Sequence, residues 1–242
     1  MRIDKRLWVV PVAFCLTIGI VGCGNGDGDP ATGNGGGTTD PDTSSGTNPD
    51  VIDPDQSTLP EVEPPPPPTI PEVRLTDALR ATCVLFVGQT MPEAELPGLD
   101  GQLHPLRALY GEKLTVVCFW TLGSTEITQV FAGGILADLA GDVAMPYADK
   151  GVQVIAINEG DSIENVDALA GEVEVEDEVK VKQVLPIFLD PDGALFAQVA
   201  NERLPRIYVL DAEGKILWFD MEYSEITRDE LLQTIQVVLG EI

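Results

Sequence analysis

Apolar residues are spread unevenly along this chain. They fill residues 7–21, are few from 24 to about 73, and from 74 onward recur at spacings that specify elements. Residues 76–86 begin with a Thr suited to cap a helix and place Leu79, Cys83 and Phe86 on one face, which predicts a short helix. Residues 93–96 and 103–106 flank Asp100-Gly101 and predict a hairpin, followed by one helical turn closed at Gly111. Residues 114–120 are a continuous apolar run of strand length, the pattern of a strand covered on both faces. Residues 125–148 predict a helix whose buried stripe is Ile127, Val130, Phe131, Ile135, Leu136 and Leu139, with Gly133-Gly134 as a place to weaken or kink it.

A second buried strand is expected at 152–157. Residues 162–184 start as helix; the acidic stretch 172–178 alternates with Val, leaving strand and loop both open. A third strand (187–189), the turn Asp190-Pro191-Asp192-Gly193, a short helix to Val199, and two strands around Ala212-Glu213-Gly214 complete the sheet. Thr227-Arg228-Asp229-Glu230 has capping-box spacing and opens the last helix. The order is hairpin, then β-α-β-α-β-β-α. Helices between the early strands imply parallel pairing with right-handed crossovers, and the closing hairpin implies antiparallel pairing. The fold class is therefore α/β: a mixed central sheet with helices on both faces and an N-terminal hairpin.

The N-terminus adds an address. Arg2, Lys5 and Arg6 precede an apolar run of about 15 residues, shorter than the ~20 a membrane-spanning helix needs. The run closes on Ile20-Val21-Gly22-Cys23, and the whole predicts a secretory signal over 1–22, with an uncleaved anchor as the alternative. The four closing residues resemble a bacterial lipobox, which implies cleavage before Cys23 and lipidation of its thiol. Either way the remainder lies outside the cytoplasm, tied to a membrane of the cell envelope. Gly24 in place of Asp points to outer-membrane sorting. Residues 23–73, rich in Gly, Asp, Thr and Pro, have too little apolar surface to offset ordering entropy and are expected to be a disordered tether. Its Pro64–Pro68 run is a stiff spacer.

Residues 74–242 suit one domain. They hold 29 acidic and 11 basic side chains, a surplus of 18 negative charges, within a chain of net charge −26. Such a surface repels nucleic acid and anionic lipid. It would suit a cationic partner, a salty habitat or plain solubility.

Val116-Val117-Cys118-Phe119-Trp120-Thr121-Leu122-Gly123-Ser124-Thr125-Glu126-Ile127 carries the candidate chemistry. It resembles the active-site segment of thioredoxin-like lipoproteins and thiol-disulfide oxidoreductases of the TlpA/ResA type, close kin of the AhpC/TSA peroxiredoxins. There, a strand ending Phe-Trp runs into Cys-x-x-Cys at the start of a helix. The turn at 189–193 and Leu204-Pro205 through Leu210-Asp211 add to the resemblance, which spans roughly residues 87–242. It implies the thioredoxin fold, a cis Pro205, and a groove lined by Trp120, Gly123, Ser124, Thr125, Leu204, Pro205 and Arg206 that takes a peptide or a partner envelope protein.

In this alignment Ser124 and Ile127 occupy the two cysteine positions, and Val130 the place of a proton-handling Glu. Redox exchange needs a thiolate at a helix N-terminus and a second, resolving sulfur. A hydroxyl and a sec-butyl side chain supply neither, so no catalytic residue is assigned. The structural alternative for Ser124 is the helix N-cap. A hydrolase role would require a base in reach, and His104, the only histidine, belongs to the hairpin. Cys83 and Cys118 remain: as buried free thiols, as a structural disulfide, or as the centre of an active oxidoreductase or peroxidase. The set of one His, two Cys and solvated carboxylates makes no transition-metal site, and no cofactor is implied.

Overall fold

The computed structural model describes residues 66–176 and 178–242. The expected signal, Cys23 and most of the expected tether lie outside the described residues. The described chain enters as extended backbone in which Ile70 and Val73 already pack on the core, and the Thr69 carbonyl accepts a hydrogen bond from Gln233.

A short helix α1 (Asp77–Arg80), capped by Thr76, replaces the longer helix expected over 76–86. Strands β1 (Glu95–Pro97) and β2 (Leu103–Pro105) form the antiparallel hairpin, and a 3-10 turn (Leu106–Leu109) follows. The main sheet contains β3 (Leu114–Trp120), β4 (Val152–Glu159), β5 (Ile187–Asp190), β6 (Arg206–Asp211) and β7 (Ile216–Asp220), in the order β5-β4-β3-β6-β7. Pairing is parallel for β3–β4 and β4–β5 and antiparallel for β3–β6 and β6–β7. This is the expected mixed sheet.

All seven residues of β3 are buried, as their unbroken apolar run requires. Alternation sorts them onto two faces. Val116, Cys118 and Trp120 pack with α2 (Glu126–Asp138), α4 (Ile163–Glu172) and α7 (Glu225–Leu239). Val117 and Phe119 pack on the other side with Tyr208, Phe219 and α6 (Phe196–Val199). Beyond Asp138 the long helix widens into a π segment (Leu139–Ala144) before α3 (Met145–Tyr147). The irregularity lies there and not at Gly133-Gly134, which α2 carries without interruption. After α4, Glu174 bridges back to Lys180, and α5 (Val181–Val184) leads into β5. Helix α7 starts at Ser224, one turn before the capping box read at Thr227, because the Ser224 hydroxyl accepts the Thr227 N–H.

The buried stripe on α2 differs from the one expected. Ile135, Leu136 and Leu139 are buried with Ala132, while Ile127 is 82%, Val130 76% and Phe131 51% exposed. The helix carries two apolar stripes. The one that meets the sheet runs through 132, 135, 136 and 139, the i, i+3, i+4, i+7 pattern of a buried face.

Candidate functional site

Strand β3 ends at Trp120, and the loop 121–124 rises from the carboxyl end of the sheet. One carboxylate shapes it. Asp161 Oδ2 accepts hydrogen bonds from Thr121 Oγ1 (3.0 Å), the Leu122 N–H (2.8 Å) and the buried Asn158 Nδ2 (2.9 Å). Asp161 follows β4, the parallel neighbour of β3, so its loop emerges beside the β3 loop. Gly123 adopts φ +70, and the Thr128 side chain occupies the space a Cβ there would take. Both facts require glycine.

Thr125, not Ser124, caps α2. Its Oγ1 accepts the Thr128 N–H (3.2 Å), and Thr128 Oγ1 accepts the Thr125 N–H (3.1 Å). The two hydroxyl oxygens lie 3.1 Å apart. This reciprocal pair satisfies two orphan donors of the first turn. Ser124 is exposed and stands before the cap.

The facing wall is Leu204-Pro205, joined by a cis peptide bond as the resemblance implied. Among the described residues, the Leu204 N–H and carbonyl have no backbone partner. A cavity of about 120 Å³ lies between the walls, lined by Trp120, Gly123, Thr128, Phe131, Leu204 and Pro205. Trp120, Gly123, Leu204 and Pro205 are thus brought together as expected. Ser124 and Thr125 stand at the entrance to α2 without lining the cavity. Thr128 and Phe131 line it although sequence reasoning missed them. The signal was present: Thr125-x-x-Thr128 has capping-box spacing, which places Thr128 in the first turn of α2. Ile127 points to solvent instead.

Arg206 is the other correction. Its side chain is 0% exposed and turns away from the cavity. The guanidinium donates to the Thr82 carbonyl (3.0 Å), Thr82 Oγ1 (2.7 Å), the Glu202 carbonyl (2.7 Å) and Cys83 Sγ (3.5 Å). It ties the segment after α1 to the loop preceding Pro205, with Arg203 held at φ +69. A position next to a groove residue in a strand faces the opposite side of the sheet, which is why Arg206 fails as a groove residue. Tyr208, two residues on in the same strand, is in the core, stacked on Phe219.

Neither thiol reaches this site. Cys118 is fully buried within β3, and burial pushes its pKa from 9.0 up to about 12. At neutral pH it is a packed thiol rather than a nucleophile. Cys83 is 8% exposed, with Sγ against the Leu79 carbonyl and Arg206. Both cysteines are free, so the structural disulfide does not form. His104 sits on β2, half-buried against the Phe188 ring and paired with Asp100 (3.3 Å). It is committed to the hairpin rather than to Ser124.

Comparison with solved structures places this architecture. A candidate protein disulfide isomerase from Bacteroides thetaiotaomicron matches at TM-score 0.55 and 21% identity, covering 66% of this chain and 94% of that one. An uncharacterized conserved protein from Geobacillus kaustophilus matches at TM-score 0.53 and 20% identity, over 66% and 86%. These likenesses establish the thioredoxin-like fold. No curated protein sequence matches the chain. The AhpC/TSA family model matches residues 87–219, which spans β1 through β7 and both walls of the cavity, and the chain therefore belongs to the AhpC/TSA family.

Proposed function

We propose that this domain is a redox-inactive member of its family that binds an extended peptide, or an extended segment of an envelope protein, in the groove between the start of α2 and cis-Pro205. The observation that carries the reading is the Thr125–Thr128 hydroxyl pair. It occupies the helix mouth, where disulfide exchange needs sulfur, while the apolar cavity and the unpaired Leu204 backbone beside it are retained. Backbone groups of that kind pair with an added strand, and an apolar pocket selects its side chains. We further propose that Cys23 carries lipid and that the following tether holds the domain off a membrane outside the cytoplasm, a reading that rests on the N-terminal sequence.

The test joins chemistry and binding. The chain is expected to reduce no insulin and turn over no peroxide. Extended peptides with a central apolar residue are expected to shift the amide signals of Gly123, Thr128 and Leu204. Peptide shifts elsewhere, or none with a broad peptide library, would remove the binding claim. A second reading, an active oxidoreductase or peroxidase using Cys83 or Cys118, is favoured by one contact: the buried Arg206 guanidinium 3.5 Å from Cys83 Sγ. Turnover abolished by Cys83→Ser would establish it in place of the first.

A further inference from the structure

The side of α2 turned away from the cis-proline groove borders a second concavity. A furrow of about 610 Å³ runs between α2 and α4, with Val130, Gly134, Ala137, Leu169 and Val173 as its apolar surface. The glycines make the room. A Cβ on Gly134 would meet nothing within 4 Å, so the furrow is open there, and one on Gly133 would collide with Val173. Ile127, 82% exposed one turn before Val130, extends the apolar surface toward the start of α2. Scattered surface apolar residues need no explanation, but Val130, Leu169 and Val173 meeting in one furrow between two helices mark an interaction surface.

The rim of the furrow is mainly acidic, with the Lys180 ammonium held against the Glu174 carboxylate and the Glu172 carbonyl. Glu126, Glu172 and Glu174 line it, and no Lys or Arg does. Glu174 is paired with Lys180, whereas Glu126 and Glu172 have no ion-pair partner among the described residues. This pattern excludes two occupants. Residues 24–65 contain nine Asp or Glu and no Lys or Arg, so their composition offers no positive charge to match this rim. A second copy would bring the same carboxylates face to face.

We infer that the α2/α4 furrow docks a cationic amphipathic helix of another protein, its apolar side chains against Val130, Leu169 and Val173 and its Lys or Arg side chains against Glu126 and Glu172. A shallow trough between two helices is the shape that takes an amphipathic helix by its apolar face. Complementary charge sets its orientation and speeds encounter. The inference is independent of peptide binding at Pro205, since the two concavities use different faces of α2.

The test titrates isotope-labelled full-length chain in neutral detergent with a synthetic Leu/Lys amphipathic helix, with a Leu/Glu helix of the same pattern, and with phosphatidylcholine–phosphatidylglycerol vesicles. Amide shifts are expected over 126–137 and 169–174 with the Leu/Lys helix alone. Glu126→Lys with Glu172→Lys, and separately Val130→Asp, are expected to weaken binding about tenfold or more. Glu93→Lys with Glu95→Lys on the distant hairpin is the control and is expected to change it by less than about twofold. Equal weakening by rim and hairpin reversals would reduce the effect to general charge attraction and overturn the inference. So would equal binding of the Leu/Glu helix, shifts centred on Pro205, or the same 126–137 and 169–174 shifts produced by the vesicles.

Discussion

Two threonine hydroxyls meet at the mouth of α2, and their geometry is specific enough to test by substitution. A disulfide needs Cβ atoms about 3.5–4.5 Å apart with converging side chains. Thr125 and Thr128 converge, with oxygens 3.1 Å apart, whereas Ile127 projects into solvent. Thr125→Cys with Thr128→Cys is therefore expected to give an intrachain disulfide that dithiothreitol reverses, counted by thiol titration of the folded and unfolded protein. Ser124→Cys with Ile127→Cys is expected to keep two free thiols. The reverse outcome would show that the helix begins one residue earlier than Thr125. The same residue scale shows what the sequence hid. Asp161 carried no motif and lies 40 positions from Thr121, so its role as the anchor of the loop became visible only when β4 was laid beside β3. Arg206 was misread because its neighbour Pro205 faces the groove, while its own side chain fills a buried nest of carbonyls.

Helix α2 shows how periodicity identifies an element while leaving its orientation open. Its apolar residues form two stripes, and the stripe expected from sequence joined Ile127, Val130 and Phe131 of the exposed one to Ile135, Leu136 and Leu139 of the buried one. The sheet takes Ala132, Ile135, Leu136 and Leu139, because loop 121–124 and the Thr125 cap set the phase at which the helix begins. Leu136→Ala is expected to cost about 2–5 kcal/mol by loss of burial and an unfilled cavity. Val130→Ala is expected to lie within about 0.5 kcal/mol of the parent. Urea unfolding of the two variants checks both. A loss for Val130→Ala as large as that for Leu136→Ala would restore the stripe expected from sequence, which held both residues.

At the scale of the whole molecule, buried ionisable groups set the alkaline limit of stability. Burial raises Cys118 from 9.0 to about 12, and Tyr208 and Tyr110 from 10.0 to about 12. Tyr223 is raised as well, by burial and then by the Asp138 carboxylate. Each group stays protonated in the fold at a pH where the unfolded chain has released its proton. Their contribution is whole below about pH 9, declines as pH passes the unfolded values, and is gone once the folded values are passed. Thermal melts followed by circular dichroism are expected to hold level from about pH 7 to 8.5 and then fall steadily to pH 11. Tyr208→Phe is expected to flatten part of that fall without loss at neutral pH, since the Tyr208 hydroxyl is buried without a hydrogen-bond partner. A level melting temperature to pH 11 would contradict the burial of these groups.

The order of the elements along the chain and the mixed sheet were legible in the chain by itself, whereas Ser124 and Ile127 at the cysteine positions were read through resemblance. A continuous apolar run, a turn dipeptide or the identity of the residues at a helix start is local information, written within a few positions. The cis Pro205 was legible only through resemblance to relatives. Which stripe of α2 meets the sheet, where Arg206 points, that Asp161 holds the loop and that Thr128 faces Pro205 were decided by the tertiary structure. Each depends on what stands across a gap from a side chain, and packing between segments far apart in sequence fixes that neighbour.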